Sequence, residues 1–249
     1  MSGEPVRVLF DNSLYRLCRS DEIAVLYPED DDGPTVRGNG VAHVRPKPLR
    51  KNEEWKLAEI PFLRRICEHA RAGRVRFAIS DEIRHELWSS SESIVTANTG
   101  SELLRDLEFE DLPPPVDRSR FQHLPLREFQ KKEVRLAFCQ MLRNLGKADS
   151  EHLSLIVSTF DLSEFEVESL RELGRFCDLC GKLAPLDGKV IDILHVWTAE
   201  RSNVPYFLTF DTKLIRYLTL TSRVPLKCFP VLPSDLCAVL DRDVEGNGA

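Results

Sequence analysis

The chain has 249 residues, 42% of them hydrophobic and 30% charged, with a formal net charge of −6. That composition excludes a disordered chain, and the negative sign excludes a surface that is basic all over, though not a local track for nucleic acid. No apolar stretch reaches the roughly 18 residues of a membrane span, the N-terminus has no basic-then-apolar leader, and seven scattered cysteines fit a reducing cytoplasm better than a disulfide framework.

The first predicted element is a strand over 6–10, VRVLF, which delivers Asp11 at its tip. Residues 28–52 mix an acidic run with Gly, Pro and basic residues without periodicity, and predict a loop or disordered insertion. Over 54–72 the spacing predicts a helix with Trp55, Leu57, Ile60, Leu63, Ile66, Cys67 and Ala70 on one face. Pro61 starts or kinks it. A strand over 75–79 leads through Ser80, an expected N-cap, into a helix over 81–88. A further strand is expected in 107–112 or 121–124, and residues 111–126 read as a proline-rich connection. A helix follows over 127–145, with Phe129, Val134, Ala137, Phe138, Met141 and Leu145 on its apolar side. Helices over 189–200 and 212–218 flank a strand over 206–210, and a strand over 226–232 precedes a tail, 241–249, expected to fray. Strands alternating with helices predict an α/β domain around a parallel sheet.

Acids recur where ligands bind such a sheet. Asp11 and Asp211 follow strand tips, Glu86 lies in the helix after the second strand, and Asp192 sits near the start of the helix KVIDILHVW. Strand C-terminal ends and the helix N-termini that follow them share one edge. Carboxylates crowded there need protonation or a cation, and oxygen ligands without Cys or His favour Mg²⁺ or Mn²⁺ over zinc. Each acid also has a plainer reading. Asp11 or Asp211 could cap a helix, Glu86 competes with Asp81 and Glu82, and His195 beside an apolar face reads as a packing or hydrogen-bonding residue rather than a ligand.

The stretches VLFDNS, AISDEIRHEL and DILHVWTAERSNVPYFLTFDTKLI, with PVLPSDL at 230–236, resemble the PIN domain family of metal-dependent ribonucleases. The resemblance covers about half the chain in four islands, and the third stretch is the most specific. It implies a three-layer α/β/α fold, a single PIN-like domain over 1–240 with insertions at about 28–52 and 111–180, and an acidic pocket for Mg²⁺ or Mn²⁺. Asp11, Glu86, Asp192 and Asp211 would be the catalytic and metal-binding carboxylates, supported by Ser13 and Thr209. The reaction implied is endonucleolytic hydrolysis of RNA, in the cytoplasm and without a membrane. Members of the family also work with antitoxin-like protein partners or as homodimers. The chain reads Asp11-Asn12-Ser13 where the family commonly has Asp-Thr/Ser-Asn. A PIN-like domain that has lost activity and serves as an RNA-binding or assembly module is the rival reading.

Other stretches are weaker. Asp149 and Glu151 in GKADSEHLSLI are candidate accessory acids, and Cys177-x-x-Cys180 lacks the second pair of a zinc site. The basic clusters Arg64, Arg65, Arg71, Arg74, Arg76 and Lys131, Lys132, Arg135, Arg143, Lys147 read either as solvated faces or as an RNA backbone track.

Overall fold

A computed structural model of the protein describes residues 4–15, 18, 51–89, 103–104, 106–184, 187–221 and 224–246. The expected insertion over 28–52 lies outside these residues except for its last two, which open a 3-10 helix, Lys51–Glu59. In chain order the elements are β1 (Val6–Phe10), α1 (Asn12–Tyr15), the 3-10 helix, α2 (Ile60–Arg71), β2 (Val75–Ser80), α3 (Asp81–Ser89) and β3 (Phe109–Leu112). Then come α4 (Arg118–Phe121), α5 (Leu126–Phe129), α6 (Lys132–Leu145), α7 (Ser150–Thr159), α8 (Glu164–Arg171) and α9 (Leu173–Cys180). The chain closes with α10 (Lys189–Arg201), β4 (Tyr206–Leu208), α11 (Thr212–Arg216), a π-helical turn (Tyr217–Thr221), β5 (Phe229–Val231) and α12 (Pro233–Gly246).

The five strands form one parallel sheet in the order β3-β2-β1-β4-β5. Alternation along β1 explains how both faces are covered. Val8 and Phe10 pack with Phe77, Leu208 and the apolar side of α2 and α12, whereas Leu9 packs with Ala78, Phe207 and residues of α6, α9 and α10. Helices on both faces make the three-layer α/β/α arrangement expected from the sequence. On the second face Trp197 is fully buried, its ring 5.3 Å from that of Phe176.

Several boundaries differ from expectation for local reasons. The helix predicted over 54–72 divides at Pro61: before it the chain is 3-10 and leaves Trp55 and Leu57 exposed, and after it α2 buries Leu63, Ile66 and Cys67. The stretch 127–145 is two helices, α5 and α6. The buried side of α6 carries Leu136, Phe138, Cys139 and Leu142, not Val134 or Ala137. Residues 121–124 are not a strand, because Asp117 caps α4 there by accepting from the Ser119 N–H at 2.9 Å. The expected frayed tail is helical as far as residue 246, since Leu236, Cys237 and Leu240 dock α12 beside α2. The segment 150–180, for which the sequence suggested only extra length, folds as α7 to α9. A capping box at Ser163 and Glu166 starts α8.

The order of the strands positions the site. From β1 the chain crosses to β2 and β3 on one side, then returns to β4 and β5 on the other. The crevice where winding changes direction therefore opens between the carboxyl ends of β1 and β4.

Candidate acidic site

Asp11 leaves β1 directly into this crevice, its N–H bonded to the Leu208 carbonyl of β4 at 3.1 Å. Its carboxylate is buried and accepts two hydroxyls on one oxygen, Oδ2: Thr209 Oγ1 at 2.7 Å and Ser13 Oγ at 2.5 Å. Among the described residues no backbone N–H donates to this side chain, so it is not the cap of α1. Ser13 Oγ accepts from the Phe210 N–H at 3.2 Å, and Thr209 Oγ1 from the Asp211 N–H at 3.0 Å. The two hydroxyls thus tie the loops after β1 and β4 together and aim Asp11, and the departure at Asn12-Ser13 still leaves a hydroxyl in place. Burial pushes the Asp11 carboxyl up, against the lowering effect of both hydroxyls. Thr209→Val should remove a donor to Asp11 and strand the Asp211 N–H, costing about 1–3 kcal/mol in chemical denaturation. An unchanged midpoint would refute this bridging role.

Asp192 lies in the first turn of α10. It is half-buried, receives no hydrogen bond among the described residues, and feels the charges of Asp11, Glu86 and Asp211. Burial first, then these three acids, push its carboxyl up to about 8, against the pull of His195. The four acids therefore act on one electrostatic neighbourhood, although they come from four parts of the chain. Asp211 has a second duty: its Oδ1 accepts the N–H groups of Lys213 and Leu214 at 2.8 and 2.9 Å, which caps α11.

Glu86 behaves differently. Its Oε1 bonds the Arg135 guanidinium and lies 3.4 Å from His195 Nε2. Burial alone would raise its carboxyl, but His195 and Arg135 hold it below the usual glutamate range. His195 is fully buried; burial pulls it down, yet Glu86, Asp192 and Asp11 carry it above its ordinary value. Of the rival acids on α3, Glu82 is held by Arg118 at 2.7 Å and Asp81 faces a neighbouring pocket. The hydrogen bond to Glu86 fits the reading of His195 as a packing or hydrogen-bonding residue rather than a ligand, whereas the inward turn of Arg135 differs from both readings of its basic cluster, a solvated face or an RNA track.

Among the described residues no three Asp, Glu, His or Cys side chains converge tightly enough to enclose an ion by themselves. The donor set nevertheless suits Mg²⁺ or Mn²⁺. Its atoms are hard oxygens, and no hydrogen bond from the described residues takes up Asp11 Oδ1, Asp211 Oδ2 or the Asp192 carboxylate. Mg²⁺ keeps most of its waters and needs only one or two carboxylates.

The remaining candidates fall elsewhere. Asp149 is an exposed N-cap of α7, bonded to the His152 N–H at 3.0 Å. Cys177 and Cys180 lie on α9, with Cys180 in the core. Arg74 precedes β2 at the opposite edge of the sheet and donates to His69, while Arg65 on α2 pairs with Asp241. No helix among the described residues is long and apolar enough to cross a membrane. The chain matches no protein-family model, no curated protein and no solved structure, so the resemblance to PIN domains rests on the sequence motifs alone.

Proposed function

We propose that the protein is a metal-dependent endoribonuclease of the PIN kind, using Mg²⁺ or Mn²⁺ to hydrolyse RNA phosphodiester bonds. The observation that carries this reading is Asp192. An acid without a hydrogen bond, raised to about 8 beside three other carboxylates, is a group whose ionised form calls for a cation. RNA as the substrate rests on the motif resemblance. Asp11 and Asp192 would hold the ion, with Asp211 presenting its free oxygen and Glu86 acting through water. Bound there, the ion would lower the pKa of a water and offset charge on the phosphoryl oxygens. Ser13 and Thr209 fix Asp11, and Arg135 with His195 fix Glu86, so the acids need little rearrangement on binding. Lys132 lies against Gly188 at the start of α10, and Lys213 opens α11; both add positive charge near the crevice for the RNA backbone. Seven free cysteines suit a reducing compartment, the cytoplasm. A protein partner of the antitoxin kind or a second copy of the chain belongs to the same proposal.

A mixed panel of single-stranded and structured RNAs tests it, with Mg²⁺, Mn²⁺ or a chelator, against the wild type and the double variant Asp11→Asn, Asp192→Asn. Cleavage that needs the ion and disappears in the double variant supports the reading; undiminished cleavage by the variant refutes the site. The inactive-module reading draws on the neutralisation of Glu86 by Arg135. It predicts metal-independent RNA binding by both proteins and cleavage by neither.

A further inference from the structure

Beside the acidic site, at the carboxyl ends of β2 and β3, lies a pocket of about 730 Å³. It begins on α3: Glu82 and His85 line it, and Glu86 of the acidic site is the next residue along the same helix. Its floor is held rigidly. The Arg118 guanidinium stacks 3.6 Å from the Phe129 ring centre, takes both oxygens of Glu82 at 2.7 and 3.1 Å, and donates to the Phe129 carbonyl at 2.6 Å. The His85 ring meets the Phe129 ring edge-on at 5.0 Å. Around the mouth stand Asp81, Asp117, Ser119 and His123.

This lining selects its ligand. Both guanidinium groups that line the pocket are already committed, Arg118 to Glu82 and Arg84 to Asp111, and Asp117 is committed too, its Oδ1 to Ser119 and its Oδ2 3.8 Å from Arg120, whereas Asp81 brings negative charge to the mouth. A phosphate would meet acids and no uncommitted guanidinium. A flat, neutral group that donates hydrogen bonds would meet the Phe129 and His85 rings and the Asp81 carboxylate as acceptor. The size falls within the range of small-molecule sites, and bases in single strands are read by stacking together with hydrogen bonds to their edges. Carboxylates are the acceptors that suit an exocyclic amino group. We propose that this pocket holds one amino-bearing nucleobase (adenine, guanine or cytosine) of the nucleic-acid strand, beside the phosphodiester to be cut. The proposal rests on the nuclease reading above and adds to it a source of sequence preference.

The test separates the two. Asp192→Asn protein without metal is titrated with adenosine, guanosine, cytidine and uridine, and with a short single-stranded RNA, following nuclear magnetic resonance shifts and fluorescence anisotropy. Amino-bearing nucleosides should bind more tightly than uridine by about fivefold or more. Asp81→Asn and His123→Ala, both at exposed positions, should erase that preference without lowering the melting temperature. In wild-type protein the same substitutions should flatten the sequence preference of cleavage and raise KM more than they lower kcat. Equal binding of all four nucleosides, no binding of any with RNA affinity unaltered in both variants, or an unchanged cleavage pattern would overturn the pocket assignment. Selective nucleoside binding in a protein that cuts no RNA would overturn the nuclease reading and keep the pocket.

Discussion

Asp192→Asn should stabilise the metal-free protein at alkaline pH, abolish its stabilisation by Mn²⁺, and slow RNA cleavage about a thousandfold. The stability change follows from linkage. An acid whose folded pKa is raised from 3.8 to about 8 keeps its proton in the native state after the unfolded chain has released it. Stability therefore falls as pH rises across that interval, and the loss is complete above it. Asp11, also raised, acts in the same direction. His195, raised above 6.5, adds stability at low pH that is lost as pH climbs through its folded value. Glu86, held below 4.5, has the opposite sign, but only as the solution becomes acid enough to protonate it. In chelator, the wild-type free energy of unfolding should drop between about pH 5 and about pH 8.5, and that of the Asn variant should drop less, the difference being on the order of a few kcal/mol. Mn²⁺ at a hundredfold excess over its Kd should return about 2–3 kcal/mol to the wild type and nothing to the variant. Parallel pH profiles for the two proteins would refute the crowding of charge at Asp192, whatever the outcome with RNA.

The second large effect is expected at Arg135. It pairs with Glu86 in a place where both side chains are mostly shielded, at 11% and 16% exposure. Removing one partner leaves a carboxylate among other carboxylates, and breaking such a pair costs about 3–5 kcal/mol. Arg135→Ala should lower the denaturation midpoint accordingly. Arg135→Lys should recover part of the loss, since a lysine keeps the charge but not the planar fork. The double variant Arg135→Ala, Glu86→Gln should lose less than the sum of the two single changes, because the stranded charge is gone. Strict additivity would show that the contact contributes nothing.

What was readable in the sequence follows from how locally each feature is encoded. Strands 6–10 and 75–79 announce themselves by short apolar runs that end in a polar residue, and both faces of a central parallel strand are apolar. The helix KVIDILHVW stood out because Asp192 is a poor neighbour for Ile191 and Ile193 unless something neutralises it. The partners of Glu86 were not readable, since nothing local says that Arg135, 49 residues away, turns inward rather than out. Nor was the divided character of 54–72, where a helical period continues through Trp55 and Leu57 although the backbone before Pro61 is 3-10. Asp211 shows why single readings mislead: one of its oxygens caps a helix while the other remains for the crevice.

The bond from Thr209 to Asp11 joins residues 198 positions apart, and the central pairing of β1 with β4 spans the same distance. A chain emerging from the ribosome therefore carries β1 with one side unpaired until nearly all of the domain has been made. Contacts so remote in sequence form late and slow the search for the native topology. The mutual repulsion of Asp11, Asp192 and Asp211 comes with them, since these groups meet only as that pairing closes. Relief of the repulsion should then appear mainly as slower unfolding rather than faster folding. A divalent ion at this seam would act as a late fastener, prolonging the lifetime of the finished fold while leaving its assembly rate almost untouched.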